Sequence, residues 1–133
     1  INQYTPEGRM EIYKPPDVKI ETMRYLMRNP IINKTVEYND NRISLYVGQK
    51  GKCAVTGNEL QIGKMHCHHI KPKYLGGDDK YKNLIFLEEN VHILLHSKNK
   101  NTILNYLEKL KLNEKQLEKL NKLRVSAGLE IIK

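Results

Sequence analysis

The chain has 133 residues, a formal charge of +8 and a pI near 9.4, with 39% hydrophobic residues and a mean hydropathy of −0.64. That is material for one domain with a modest core, alone or with appended helices, and a bound metal would add stability to so small a core. No apolar run approaches the ~20 residues that cross a bilayer and no signal-peptide pattern opens the chain, so a soluble, cytoplasmic protein (bacterial cytoplasm or organelle) with no membrane partner is expected.

The first stretch, from Tyr4 to Pro16, reads as irregular because Pro6, Gly8, Pro15 and Pro16 punctuate it. Asp17 is placed to cap a helix running to about Arg28, with Ile20, Met23 and Met27 on one side; Asn29-Pro30 stops it. Lys34 to Tyr38 reads as a short extended piece. Asp40 is a second capping candidate, before Asn41 to Val47, whose β-branched residues also suit a strand; a helix ended by Gly51 is the preferred reading. Cys53 to Asn58 predicts a strand running into a turn, and Gly63 to Ile70 the strand that returns along it.

Lys71 to Lys82, with Pro72, Gly76-Gly77 and Asp78-Asp79, is a loop. Asn83 to Leu87 is short and apolar, and Glu89-Asn90 opens a helix. A further helix is expected over Thr102 to Leu112, with Ile103, Leu104, Leu107 and Leu110 at helical spacing. Asn113 with Gln116 three residues on is a capping box for a last helix, lined by Leu117, Leu120 and Leu123 and ended at Gly128.

The surplus of lysine favours polyanions, through release of the counterions condensed on a phosphate backbone. The plainer alternative is a solubilising surface, and it suits most of the basic residues between Lys98 and Arg124. With no Trp and Phe86 as the only Phe, stacking platforms for single-stranded bases are not obvious. Cys53 and Cys67 are too few for a four-thiolate zinc site, and reduced thiols fit a chain without an export signal. The chain opens on Ile1 rather than Met, which suggests a processed product or a piece of something longer.

All five histidines fall between His66 and His96. His92 and His96 are four residues apart, one helical turn, so both project from one face as metal-binding pairs do. Such a pair alone is weak evidence. A third histidine at a strand end, His68, and a glycine-containing turn that lets the chain double back strengthen it.

In order, spacing and residue type, His68-His69-Ile70, Pro72, Gly76-Gly77, Asn83-Leu84, His92 and His96 resemble the HNH nuclease family. The likeness covers residues 50–97 and implies an α+β fold with a ββα-metal (His-Me) core flanked by helices on both sides. More loosely, Glu37 to Leu45, Gly51 to Gly57 and Leu120 to Gly128 are similar to the C-terminal part of group II intron-encoded reverse transcriptases. On that likeness 1–50 is a helical DNA-binding segment, 51–100 the nuclease core and 101–133 a C-terminal helical pair. The partners implied are double-stranded DNA and, through a full-length protein, intron RNA.

The resemblance also implies roles. His69 is the general base that takes a proton from the attacking water, and Asn83 fixes its ring. His68, His92 and His96 hold one divalent metal ion, with His96 alternatively a phosphate contact. Mg²⁺ is the expected working ion, although imidazoles suit Mn²⁺, Zn²⁺ or Ni²⁺ better. Lys71, Lys73, Lys80 and Lys82 hold flanking phosphates. The plainer readings are that His66 is a surface residue, Cys67 packs against Cys53 as a buried thiol, Gly76-Gly77 only turns the loop and Asn83 only braces it. Related nuclease domains carry two Cys pairs where this chain has one residue of each, which argues against a structural zinc. A free-standing homing or defence nuclease and a zinc-stabilised DNA-binding module are the competing functions.

Overall fold

The computed structural model describes residues 18–133, which form a mixed α+β fold. The helices are α1 (Ile20–Arg28), α2 (Val36–Gly48), α3 (Glu89–His96), α4 (Lys100–Leu110) and α5 (Glu114–Ser126). Strands β1 (Met65–His69) and β2 (Leu84–Glu88) form an antiparallel pair, and α3 follows β2 directly. No helix among the described residues is long and apolar enough to cross a membrane. The irregular stretch from Tyr4 to Pro16 and the cap at Asp17 lie outside the described residues; α1 begins after Lys19, whose side chain makes no capping bond.

Two local expectations are corrected. Lys34 to Tyr38 is not extended, because the Thr35 hydroxyl accepts the Tyr38 amide and starts α2 there. The β-branched pair Thr35-Val36 suggests strand, but a threonine in N-cap position outweighs that weak preference. Asp40 lies inside α2 and caps nothing.

Cys53 to Asn58 is not a strand, and the expected hairpin with 63–70 does not form. The Cys53 amide bonds to the Asn58 carbonyl and Gly57 to Cys53, so the segment closes on itself as a turn. The partner of β1 is β2, in the register His69↔Leu84, Cys67↔Phe86, Met65↔Glu88. Beside β2 the Gln49 amide plays a strand's part, donating to the Phe86 carbonyl and accepting its N–H. The edge of β2 is thereby covered by this side chain and by the Ala54 N–H, which donates to the same carbonyl. The histidine pair thus ends the first strand of the sheet, not the second.

One continuous core joins these parts. Leu87 from β2, Val91, Leu94 and Leu95 from α3, and Leu120 from α5 are wholly inaccessible, with Tyr46 of α2 and Phe86 nearly so. The 3.6-residue period along α3 gathers Val91, Leu94 and Leu95 on one side, while alternation turns Phe86 and Leu87 to opposite faces of β2, both of them covered. The α5 capping box forms as its sequence predicts, and Gly128 follows the helix at φ 83°. Cys53 and Cys67 are both free thiols. Burial pushes the Cys67 thiol up to about 12, which leaves it a packing group rather than a nucleophile.

Candidate metal centre and the adjoining histidine

His68 leaves β1 toward α3, where His92 and His96 stand one turn apart. The ring centres lie 5.5 Å (His68 to His92), 5.0 Å (His68 to His96) and 4.6 Å (His92 to His96) from one another. One nitrogen from each ring falls within 4.8 Å of the other two, close enough to converge on a single ion. The His68 ring is buried, and its Nε2 has no hydrogen-bond partner at all. An unpaired buried polar atom costs on the order of 1–3 kcal/mol. A lone pair left open in such surroundings is what a metal ligand requires.

Burial comes first in keeping these rings neutral. It pushes His68 down to about 3, helped by the neighbouring His96, His92 and His69, and His92 down to about 4, helped by His96 and His66. His96 is lowered by burial, then by the charge of Arg124 and by His66. Neutral imidazoles offer their lone pairs across the physiological range. Three nitrogen donors fit Zn²⁺, Ni²⁺ or Mn²⁺ with open positions left for water or substrate oxygen; Mg²⁺ suits the set less well.

His66 lies at the surface, as expected, with its side chain about half exposed. Its ring stacks on His92 at 4.6 Å between centres, and its Nε2 is 3.9 Å from Glu89. It walls the cluster without joining the converging set.

Next along the strand, His69 has a different environment. Its ring stacks on Tyr38 at 5.2 Å, and its Nε2 lies 2.7 Å from Oδ1 of Asp79. A carboxylate only accepts, so Nε2 carries a proton, and in the neutral ring the lone pair is on Nδ1. Burial works to raise the pKa of Asp79, but bonds from His69, Thr35 and Lys73 outweigh it and hold the carboxyl well below the usual range.

Asn83 does not orient His69. Its Oδ1 accepts the Lys71 amide, and its Nδ2 donates to the carbonyls of Lys71 and Asp78. It braces the loop from Ile70 to Asn83 while Asp79 takes the ring. The same loop crosses itself at Gly77, where a Cβ would sit 1.7 Å from the Lys71 carbonyl oxygen. Gly77 therefore does more than permit a turn; only glycine allows that backbone approach. Sequence reading overlooks Asp79 because either carboxylate of Asp78-Asp79 could fold back, and no local pattern singles one out.

Both histidine environments open on one cleft of about 440 Å³. Of the four loop lysines expected to hold phosphates, only Lys73 lines it, and its Nζ is 3.0 Å from Asp79. Lys71, Lys80 and Lys82 are exposed elsewhere on the loop. Lys34 and Lys98, from segments not tied to the site by any local motif, line the cleft instead. Arg124 is not part of a basic flank: it is buried, with its guanidinium turned inward onto α3. Compared with models of known families, with curated proteins and with solved structures, the chain matches none.

Proposed function

We propose that this protein is a metal-dependent DNA endonuclease of the HNH (ββα-metal) type, which hydrolyses one phosphodiester bond in one strand of a duplex. The observation that carries the reading is the division of labour between two adjacent histidines. His68 is buried in a three-imidazole cluster with an open nitrogen, while His69 is held through Nε2 and presents Nδ1 as a base. One strand feeding two such environments, followed by a second strand and a helix carrying the other ligands, is the order that the chemistry needs.

In this reading His69 takes a proton from water at Nδ1, and the water oxygen forms a bond to phosphorus. The bond from phosphorus to the 3′-oxygen breaks, and that oxygen takes up a proton from solvent. Asp79 remains ionised and stabilises the imidazolium formed on His69. A divalent ion held by His68, His92 and His96 would polarise the phosphate and stabilise the leaving oxygen. Lys34, Lys73 and Lys98 hold neighbouring phosphates and set the strand's register without reading bases. The similarity of Glu37 to Leu45 and Leu120 to Gly128 to group II intron-encoded proteins supports a role in intron mobility, where the 3′-hydroxyl left by the cut primes reverse transcription.

The all-imidazole donor set also favours a second reading, a zinc-stabilised module that binds DNA without cutting it. A nicking assay on supercoiled plasmid with Mg²⁺, Mn²⁺, Zn²⁺ and Ni²⁺ separates the two. The nuclease reading requires wild type to nick with at least one ion, and His69→Ala to stay folded and metal-bound while nicking disappears. Wild type that binds duplex but never nicks it is the module.

A further inference from the structure

The carboxylate that orients His69 is itself held from outside the strand–strand–helix unit. Asp79 is almost wholly buried, and its two oxygens are divided between two tasks. Oδ1 meets His69 Nε2, while Oδ2 receives the Thr35 hydroxyl at 2.7 Å and Lys73 Nζ at 3.0 Å. Its backbone carbonyl accepts from Asn41 Nδ2 at 2.8 Å. Thr35 is the N-cap of α2, Asn41 lies within that helix, and so does Tyr38, whose ring covers His69 and whose hydroxyl donates to the Cys67 carbonyl of β1.

The Thr35 hydroxyl has one proton to give. It already accepts the Tyr38 amide, so that proton is committed to Asp79. Turning the carboxylate away from His69 would break the bonds at Oδ2 as well. Lys73 is half exposed and free to exchange Asp79 for an incoming phosphate; Thr35 has no such alternative. The start of α2, where a helix favours negative charge, also faces this carboxylate.

We propose that Asp79 and Thr35 are positioning residues: the N-cap hydroxyl of α2 locks the carboxylate that keeps His69 in its Nε2–H form, with Nδ1 free. This rests on the reading of His69 as base. The chemistry is thereby tied to a helix that contributes no reacting group.

Three substitutions at Thr35 separate positioning from capping. Thr35→Ser keeps both donor and cap, Thr35→Val removes both, and Thr35→Asp keeps the cap but replaces the donor with a second carboxylate. With Zn²⁺ bound, ¹⁵N resonances of the His69 ring report which nitrogen carries the proton. Wild type and Thr35→Ser should give distinct protonated Nε2 and unprotonated Nδ1 signals. Thr35→Val, Thr35→Asp and Asp79→Asn should give averaged ones, at unchanged Zn²⁺ affinity. Nicking should slow about tenfold in Thr35→Val and on the order of a hundredfold or more in Asp79→Asn.

If Thr35→Val and Thr35→Asp keep the wild-type ring signals, Thr35 is only a helix cap and the proposal fails. It fails equally if nicking slows in step with lost Zn²⁺ affinity while the ring signals stay put. Wild type that nicks no DNA overturns the nuclease reading, and the ring signals then still decide whether Asp79 and Thr35 set the state of His69.

Discussion

Nη1 of Arg124 lies 3.0 Å from the carbonyl oxygen of Leu94, two residues before His96. The same nitrogen reaches the carbonyls of Leu95 and Ser97, and Nε donates to Glu130 in the C-terminal tail. Leu94 and Leu95 lie in the last turn of α3 and Ser97 is its C-cap, where carbonyls lack the full set of helical partners (Leu94 also accepts the Ser97 amide), and a cation there also opposes the helix dipole. One guanidinium therefore finishes the helix that carries two of the candidate ligands.

Replacing Arg124 by Lys should not rescue this, since an ammonium is a single point donor where a planar fork is needed. Arg124→Lys is expected to lower unfolding stability by roughly 2–3 kcal/mol, and Arg124→Met by at least as much. Zn²⁺ affinity should fall about 10- to 100-fold as His96 loses its support. Urea denaturation and calorimetric titration measure the two effects. Unchanged affinity in a folded variant would mean that α3 does not need this brace.

Metal binding should distinguish the four clustered histidines. In chelator-treated protein titrated with Co²⁺, His68→Ala and His92→Ala are expected to abolish the visible tetrahedral absorption, whereas His66→Ala retains it. Saturating metal should also raise stability, by about 2.7 kcal/mol at a hundredfold excess over Kd. Loss of the absorption in His66→Ala would move that stacked ring into the ligand set.

The buried imidazoles predict acid sensitivity of the metal-free protein. In the unfolded chain they take up protons below their ordinary value near 6.5, while folding holds His68 neutral down to about 3 and His92 down to about 4. Between those limits the unfolded state binds more protons, so stability falls as pH falls. For the deeply buried His68 the slope is roughly 1 kcal/mol per pH unit. The difference between denaturation midpoints at pH 7 and pH 5 should shrink in His68→Gln, with His92 accounting for part of what remains. An equally steep profile in that variant would place the sensitive group elsewhere.

The path of the nucleic acid should be readable from salt dependence. Lys34→Ala and Lys98→Ala are each expected to weaken duplex binding at all sequences and to reduce the slope of log K against log salt by about one unit. Lys82 and Lys119, exposed and outside the cleft, should leave the slope unchanged when replaced. Equal losses at Lys82 would route the DNA over the loop rather than through the cleft.

What the sequence disclosed follows from how local each signal is. The pairing of His92 with His96 is legible because helical spacing alone sets it, and Asn113 with Gln116 marks the start of α5 for the same reason. The partner of β1 was not legible. Choosing β2 over Cys53 to Asn58 depends on the turn closing on itself and on Gln49 occupying the edge of Phe86. Asp79 and Thr35 were hidden for a related reason: they are 44 residues apart and meet only once the loop has crossed at Gly77 and α2 has docked. Arg124 looked like one more surface cation, because charge patterning does not reveal that a helix end waits to receive it.

The contacts from α2 to the end of β1 bear on whether the chain can be divided. An opening between Gly48 and Lys52, next to the boundary at residue 50 that the family resemblance implies, would separate Thr35 and Tyr38 from Asp79 and His69, while Gln49 would fall to either piece. Neither fragment would carry a finished cleft. Mixed together, the two halves are expected to recover it by complementation, as separately made parts of a single folding unit do.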